Sequence, residues 1–227
     1  MPLAAADLAA AAVMLLAWMG TGWWVERGPR AAQAAGNLMA ARRCDWMREM
    51  ARREVRIMDG GLLRGLQAGS SFFASAALIG TGGVLTMMGQ SGKLAEIAAV
   101  IPYAGAGAEA ERLRLLAPLG FTVFAFFKFA WAQRLFGYCG VLIGATPAWD
   151  EADPSKALVA ADTAAEVNAL AARSFNRGLR GLYFTLGSLA WLAGPGPLLV
   201  ATALVAWTIH RREYRSESRA ALLKGAR

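Results

Sequence analysis

Lys128 and Arg134 stand where a bilayer-spanning segment is least able to hold a charge. Residues 118–145, PLGFTVFAFFKFAWAQRLFGYCGVLIGA, are apolar and long enough to cross ~30 Å of hydrocarbon, yet both cations lie inside the run. A cation within a span is a candidate site for an anion or lipid headgroup, or one half of a buried ion pair. On a helix beginning at Pro118, Lys128 falls about 15 Å in, near the middle of the hydrocarbon. A central Lys or Arg costs ~2.5–3.5 kcal/mol on insertion, and each Leu, Ile, Phe or Val contributes ~0.3–0.6 in return. The ten such residues between Pro118 and Val141 contribute ~3–6 kcal/mol, about what the two charges cost. Such a span is marginal alone and needs others around it.

Six positions separate the two cations, so they point roughly 120° apart, with Trp131 roughly 60° from each and open to a cation–π contact with either. Helical side chains lean toward their own N-terminus. Lys128 therefore leans outward and Arg134 toward the membrane centre. The only carboxylate inside any span is Asp7, which predicts an Asp7–Lys128 pair. Arg134 is left with backbone carbonyls, with snorkelling to the inner surface, or with an anion or lipid headgroup entering the bundle. A second basic group, Asn176-Arg177-Gly178-Leu179-Arg180, opens a later apolar region. Its arginines suit lipid phosphates, an internal carboxylate such as Glu166, or plain anchoring at the inner surface. His210, the only histidine, stands at a span end beside Arg211 and Arg212 and reads as an anchor.

No Gly-x-Ser-x-Gly, phosphate-cradling loop or carboxylate pair occurs in a position to support chemistry. Cys44 and Cys139 have neither a metal-ligand spacing nor a disulfide framework around them. No catalytic, cofactor or metal residue is assigned, and a membrane enzyme is a distant third reading.

The frame that must position these side chains follows from composition. With 56% hydrophobic and 18% charged residues over 227, the chain is too apolar for an ordinary soluble domain. Its net charge of +8 is concentrated in the connections between apolar runs, which argues for membrane orientation and against a nucleic-acid partner. Residues 3–24 carry Asp7 before the apolar run and Arg27 after it, the reverse of a signal peptide. They read as an uncleaved first span with the N-terminus outside and Trp18, Trp23 and Trp24 toward the inner headgroups. Residues 26–64 carry nine arginines around a cytoplasmic helix over about 30–58 that starts at Pro29 and stops at Gly60-Gly61. Met39, Trp46, Met50 and Ile57 share one face of it, either packed on the bundle or lying on anionic lipid.

Residues 66–88 form an uncharged second span, with the pairs Gly65/Gly69 and Ser71/Ser75 allowing a close neighbour. A mixed connection over 90–116 is broken by Pro102, Gly105 and Gly107. After the 118–145 span comes an Ala-rich cytoplasmic helix over about 155–175, N-capped by Ser155 and suited to close packing against another helix. The last apolar region is interrupted by Gly194-Pro195-Gly196-Pro197. It is one kinked span or a hairpin of 178–193 and 198–212. Five spans place nine, four and six basic residues inside against three outside, whereas four spans export the six-residue basic tail. The sequence therefore predicts an all-α, polytopic transmembrane bundle of four to five spans, five preferred, in a bacterial inner membrane.

The run Phe175-Asn-Arg-Gly-Leu-Arg-x-x-Tyr183-Phe184, the earlier Tyr138-Cys-Gly-Val-Leu-Ile-Gly-Ala and the Arg-Arg-Glu-Tyr-Arg-Ser at 211–216 resemble a family of small bacterial membrane proteins catalogued as domain of unknown function 599. The resemblance runs from the first span to about Arg219. It implies an integral membrane location, a usual expectation of four spans, and no established activity or catalytic residue. Two functions remain open. One is an anion- or lipid-handling protein using Lys128, Arg134 and Arg180, with anionic lipid at the cytoplasmic face as ligand. The other is a structural protein that forms homo-oligomers or docks a partner.

Overall fold

The computed structural model describes residues 3–100, 107–150 and 152–224, and these are helical almost throughout, with no strand among them. The order is α1 (Ala5–Arg27), a 3-10 turn (Ala31–Gln33), α2 (Ala35–Ala51), α3 (Ile57–Gly89), α4 (Ser91–Ala98), α5 (Gly107–Arg114), α6 (Leu116–Ala145), α7 (Ser155–Ser188), a 3-10 turn (Leu189–Ala193), α8 (Pro195–Tyr214) and α9 (Glu217–Lys224). The helical bundle expected from the sequence is present. Among the described residues three helices are long and apolar enough to cross a membrane: α1, α3, and α5 with α6, which form a nearly continuous rod over Gly107–Ala145.

The central strut is α6, packed against α3 on one side and α7 on the other. Its face toward α3 meets a strict heptad position, with Leu63, Ser70, Ala77 and Val84 buried seven apart, and Asp59 is buried one turn before them. Toward α7 it meets small side chains at helical spacing, including Ala157, Ala161, Ala164, Asn168, Ala171 and Gly178. That stripe lets the axes approach until a Cβ added at Gly178 would stand 2.7 Å from the Phe129 ring. The Ala-rich surface thus does pack on a helix of its own chain. On α1 only a narrow stripe, Asp7, Ala10, Met14 and Val25, is buried, while Leu8, Leu16, Met19 and Trp23 are exposed.

Several boundaries differ from the sequence expectation. Gly60-Gly61 do not stop a helix; they lie in the first turns of α3, which starts at Ile57. The corner between α2 and α3 is set instead by buried Asp59, which accepts from Trp46 Nε1 at 2.8 Å and from the Arg53 guanidinium at 2.6 Å. Arg56 ties the same corner to the far end of α6 through the carbonyls of Thr146 and, at 2.8 Å, Pro147. The proposed cytoplasmic helix and the fourth span are one helix, α7. Ser155 is its first residue rather than its cap, and its N–H donates to the Asp153 carboxylate at 3.2 Å. Of the breakers expected in the 90–116 connection, Pro102 and Gly105 lie outside the described residues, and Gly107, with φ +81°, opens α5.

The break at 194–197 is a hairpin. Gly194, at φ 106°, turns the chain, and α8 returns along α7 with Val205 against Gly187 and the Arg212 guanidinium 5.5 Å from the Tyr183 ring centre. α8 also lies along α1, where the Tyr214 hydroxyl donates to the Trp24 carbonyl at 3.1 Å.

Candidate functional site

At one end of the bundle three elements deliver a closed charge cluster. Asp7 in the first turn of α1 accepts from Arg114 of α5 at 3.0 Å and from Trp191 Nε1 at 2.8 Å, while Arg114 donates to Glu111 at 2.7 Å. All three charged groups are buried. The second Asp7 oxygen accepts from the Ala4 N–H at 3.3 Å, so the carboxylate also caps α1. The sequence pairing of Asp7 with Lys128 is therefore corrected: Asp7 does meet a cation, but it is Arg114. The charged stretch around Glu111 and Arg114 reads as a loop, whereas it is helix buried by its own pairing.

That correction moves Lys128. Measured from Gly107 along the nearly continuous rod, it stands about 32 Å in, which is a whole hydrocarbon thickness. It lies level with Glu26 at the far end of α1, about 28 Å along that helix from Asp7. There a cavity of about 340 Å³ is lined by Trp18, Trp23, Glu26, Arg27, Phe124, Lys128, Arg177 and Arg180, together with Met19 and Gly22. Four cations share it with one carboxylate. Arg177 Nε donates to both Glu26 oxygens, at 2.9 and 3.1 Å, and the Arg177 and Arg180 guanidinium groups each make a further short contact to that carboxylate. The internal carboxylate for these arginines is thus Glu26, not Glu166. Ser174 fixes α7 against α6 at this level by donating to the Lys128 carbonyl at 2.8 Å, and the Lys128 ammonium stands 5.4 Å from the Phe124 ring centre.

The remaining candidates separate from this cavity. Arg134 is exposed; its Nε donates to the Tyr138 hydroxyl at 2.6 Å and its guanidinium lies 5.6 Å from that ring centre. Trp131 is exposed and takes neither cation. The aromatic partners are one helical turn away, Phe124 behind Lys128 and Tyr138 ahead of Arg134, where same-face stacking places them. Asn176 lies one turn before Arg180 on α7 but does not line this cavity; its amide stands toward Gly36 and Glu213. Lys128, Arg177 and Arg180 therefore converge, whereas Asp7, Trp131, Arg134 and Asn176 do not join them. Glu26 and Arg27 were missed; the signal for them was a lone carboxylate beside the first arginine at the end of the first apolar run.

Both cysteines are free thiols; Cys139 is buried between the Ala164 carbonyl and the Asn168 amide, each at 3.5 Å. Among the described residues no group of three or more His, Cys, Asp or Glu could hold a metal ion.

One family model, described as "Protein of unknown function, DUF599", matches residues 9–218. No curated protein and no solved structure matches.

Proposed function

The chain belongs to the DUF599 family of proteins of unknown function, and on that premise we propose an integral membrane protein that binds an anionic lipid headgroup, or a free anion of the same chemistry, at the cavity around Lys128, Arg177 and Arg180. The observation that carries this reading is the ratio in that cavity, four cations to one carboxylate. Glu26 occupies the arginine pair as an internal counter-ion, and an arriving phosphate offers the same two-oxygen geometry with more charge.

The length of α1 and the position of its aromatic residues support the placement. The span of α1 from Asp7 to Glu26 matches the ~30 Å of hydrocarbon. Exposed Trp23, Trp24, Trp131 and Trp207 fall within about a turn of the Glu26 level, as an interfacial aromatic belt does. With the N-terminus outside, that level is the inner surface of a bacterial inner membrane, and α2, α9 and the Arg134 end of α6 project beyond it. The hairpin at Gly194 then gives five spans.

The test is purification in native-lipid discs, with bound lipid counted by mass spectrometry. Arg180→Gln and Lys128→Gln are each expected to cut retained anionic lipid about tenfold, while Glu26→Gln raises it. Equal retention of neutral and anionic lipid in all four proteins would sink the proposal. Competition by inorganic phosphate separates a free-anion site from a headgroup site.

The structural reading keeps one observation of its own. Ile57, Met58, Leu62 and Val141 are exposed at the end of the bundle beyond Arg134, past the level this reading assigns to the inner membrane surface. A homo-oligomer joined there would show as a multiple of 24.1 kDa in the same discs.

A further inference from the structure

Beside the cation cavity, on the adjacent face of α7, lies a second and larger one, about 880 Å³, bounded by residues of α2, α3, α6, α7, α8 and α9. Its wall is mostly apolar, with Leu66, Phe136 and Phe175 among its lining. Gly65 and Gly69 contribute bare backbone, and a Cβ added at either would meet nothing within 4 Å. Arg43 and Arg212 stand against Glu213 at its polar edge, where Arg42 is ion-paired with Asp45 at 3.1 Å. A helical interior rarely leaves a void larger than a water, whereas roughly 300–1,000 Å³ is the range of a ligand pocket. A small void of about 20 Å³ adjoins both cavities, sharing Glu26 and Arg180 with the first and Asn176 and Glu213 with the second. Glu26 and Arg180 thus line both the cation cavity and a void that borders the larger one.

We propose that this cleft is a binding site for a single-chain anionic amphiphile, its acyl chain along Gly65, Gly69, Phe136 and Phe175 and its head at Arg43 and Arg212. The apolar wall selects a hydrocarbon chain. The excess of arginine over carboxylate selects an anionic head. The proposal names a second site and a ligand class beyond headgroup binding at the cation cavity, and it stands without that reading.

The glycines supply a test that leaves the fold alone. Hexadecanoate carrying a terminal diazirine is added to the protein in native-lipid discs, irradiated, and the labelled peptides are mapped. Label is expected on α3 near Gly65 and Gly69 and on the Phe136 and Phe175 peptides. Gly69→Leu fills the cleft and should lower that label at least tenfold without lowering the unfolding temperature, because it replaces a helix-weakening glycine. Gly83→Leu, on an exposed stretch of α3, should leave it unchanged. Arg212→Gln, an exposed side chain, should weaken probe binding severalfold. Label spread over exposed Phe72 and Ile79, and equal in Gly69→Leu, would mean annular lipid only and overturn the proposal. Competition by acetate as strong as that by unlabelled hexadecanoate would overturn it too, by showing a soluble-anion site. Lys128→Gln, in the other cavity, leaves the label in place, so the two sites fail separately.

Discussion

The Asp7 carboxylate satisfies one helix end, one guanidinium and one indole at once, and removing its partners has unequal effects. Arg114→Leu leaves Asp7 and Glu111 buried without that cation and should cost about 3–5 kcal/mol, measured by unfolding in detergent. Asp7→Asn leaves Glu111 on Arg114 and should cost less, about 1–3 kcal/mol; the reverse ranking would contradict the geometry. A second pair works by titration. Arg48 donates to Asp162 at 2.8 and 3.3 Å, and these hydrogen bonds hold the Asp162 carboxyl below the usual aspartate range. The native carboxylate thus binds its proton less readily than the unfolded one. The link is fully present above about pH 4 and is lost as pH falls through the depressed value. Relative to the intrinsic amide rate at each pH, exchange in α2 should quicken slightly in that window, because the pair is half exposed. In Asp162→Asn that ratio should be raised already at pH 6 and flat in pH. Of the site itself, Lys128, Arg177 and Arg180 were legible as cations in apolar surroundings. Their partner Glu26 was not, because the pairs span 151 and 154 residues and no local spacing encodes that distance.

Among the elements, close approach and turning fall on particular glycines. Gly178→Val drives a side chain into the Phe129 ring and should cost about 1–3 kcal/mol. Gly194→Ala, forced to positive φ, should cost about as much, ~1–3 kcal/mol, while Gly196→Ala, with nothing within 4 Å, should be near neutral. Thermal unfolding of the three variants ranks them directly, and a stable Gly194→Ala would rule out the turn. The apolar runs, the hairpin break and the packing role of the Ala-rich stretch were readable because each is a local pattern. The ends of α3 and α5 were not. Gly60-Gly61 is tolerated inside a helix because the Asp59 and Arg56 contacts fix the corner before it. Glu111 and Arg114 look like a solvated loop until Asp7 neutralises the cation between them.

For the molecule as a whole, the charge distribution predicts a topology. In a Cys44→Ser background, Gly196→Cys should react with an impermeant thiol reagent in whole cells, and a cysteine introduced at Ser218 should not. The opposite pattern would restore four spans. Cys139, being buried, adds no background. The Asp7–Arg114–Trp191 contact carries a further consequence, for biogenesis. Its partners lie 107 and 184 residues downstream of Asp7, so at ~5–20 residues per second the first span waits roughly 5–20 s for its arginine and longer for its indole. Throughout that wait the nascent N-terminus holds an acidic helix start with no cation to meet it. Truncated ribosome-bound chains ending before Arg114 should therefore stay extractable from the membrane, and retention should begin once α5 and α6 have emerged to clamp the first helix in place.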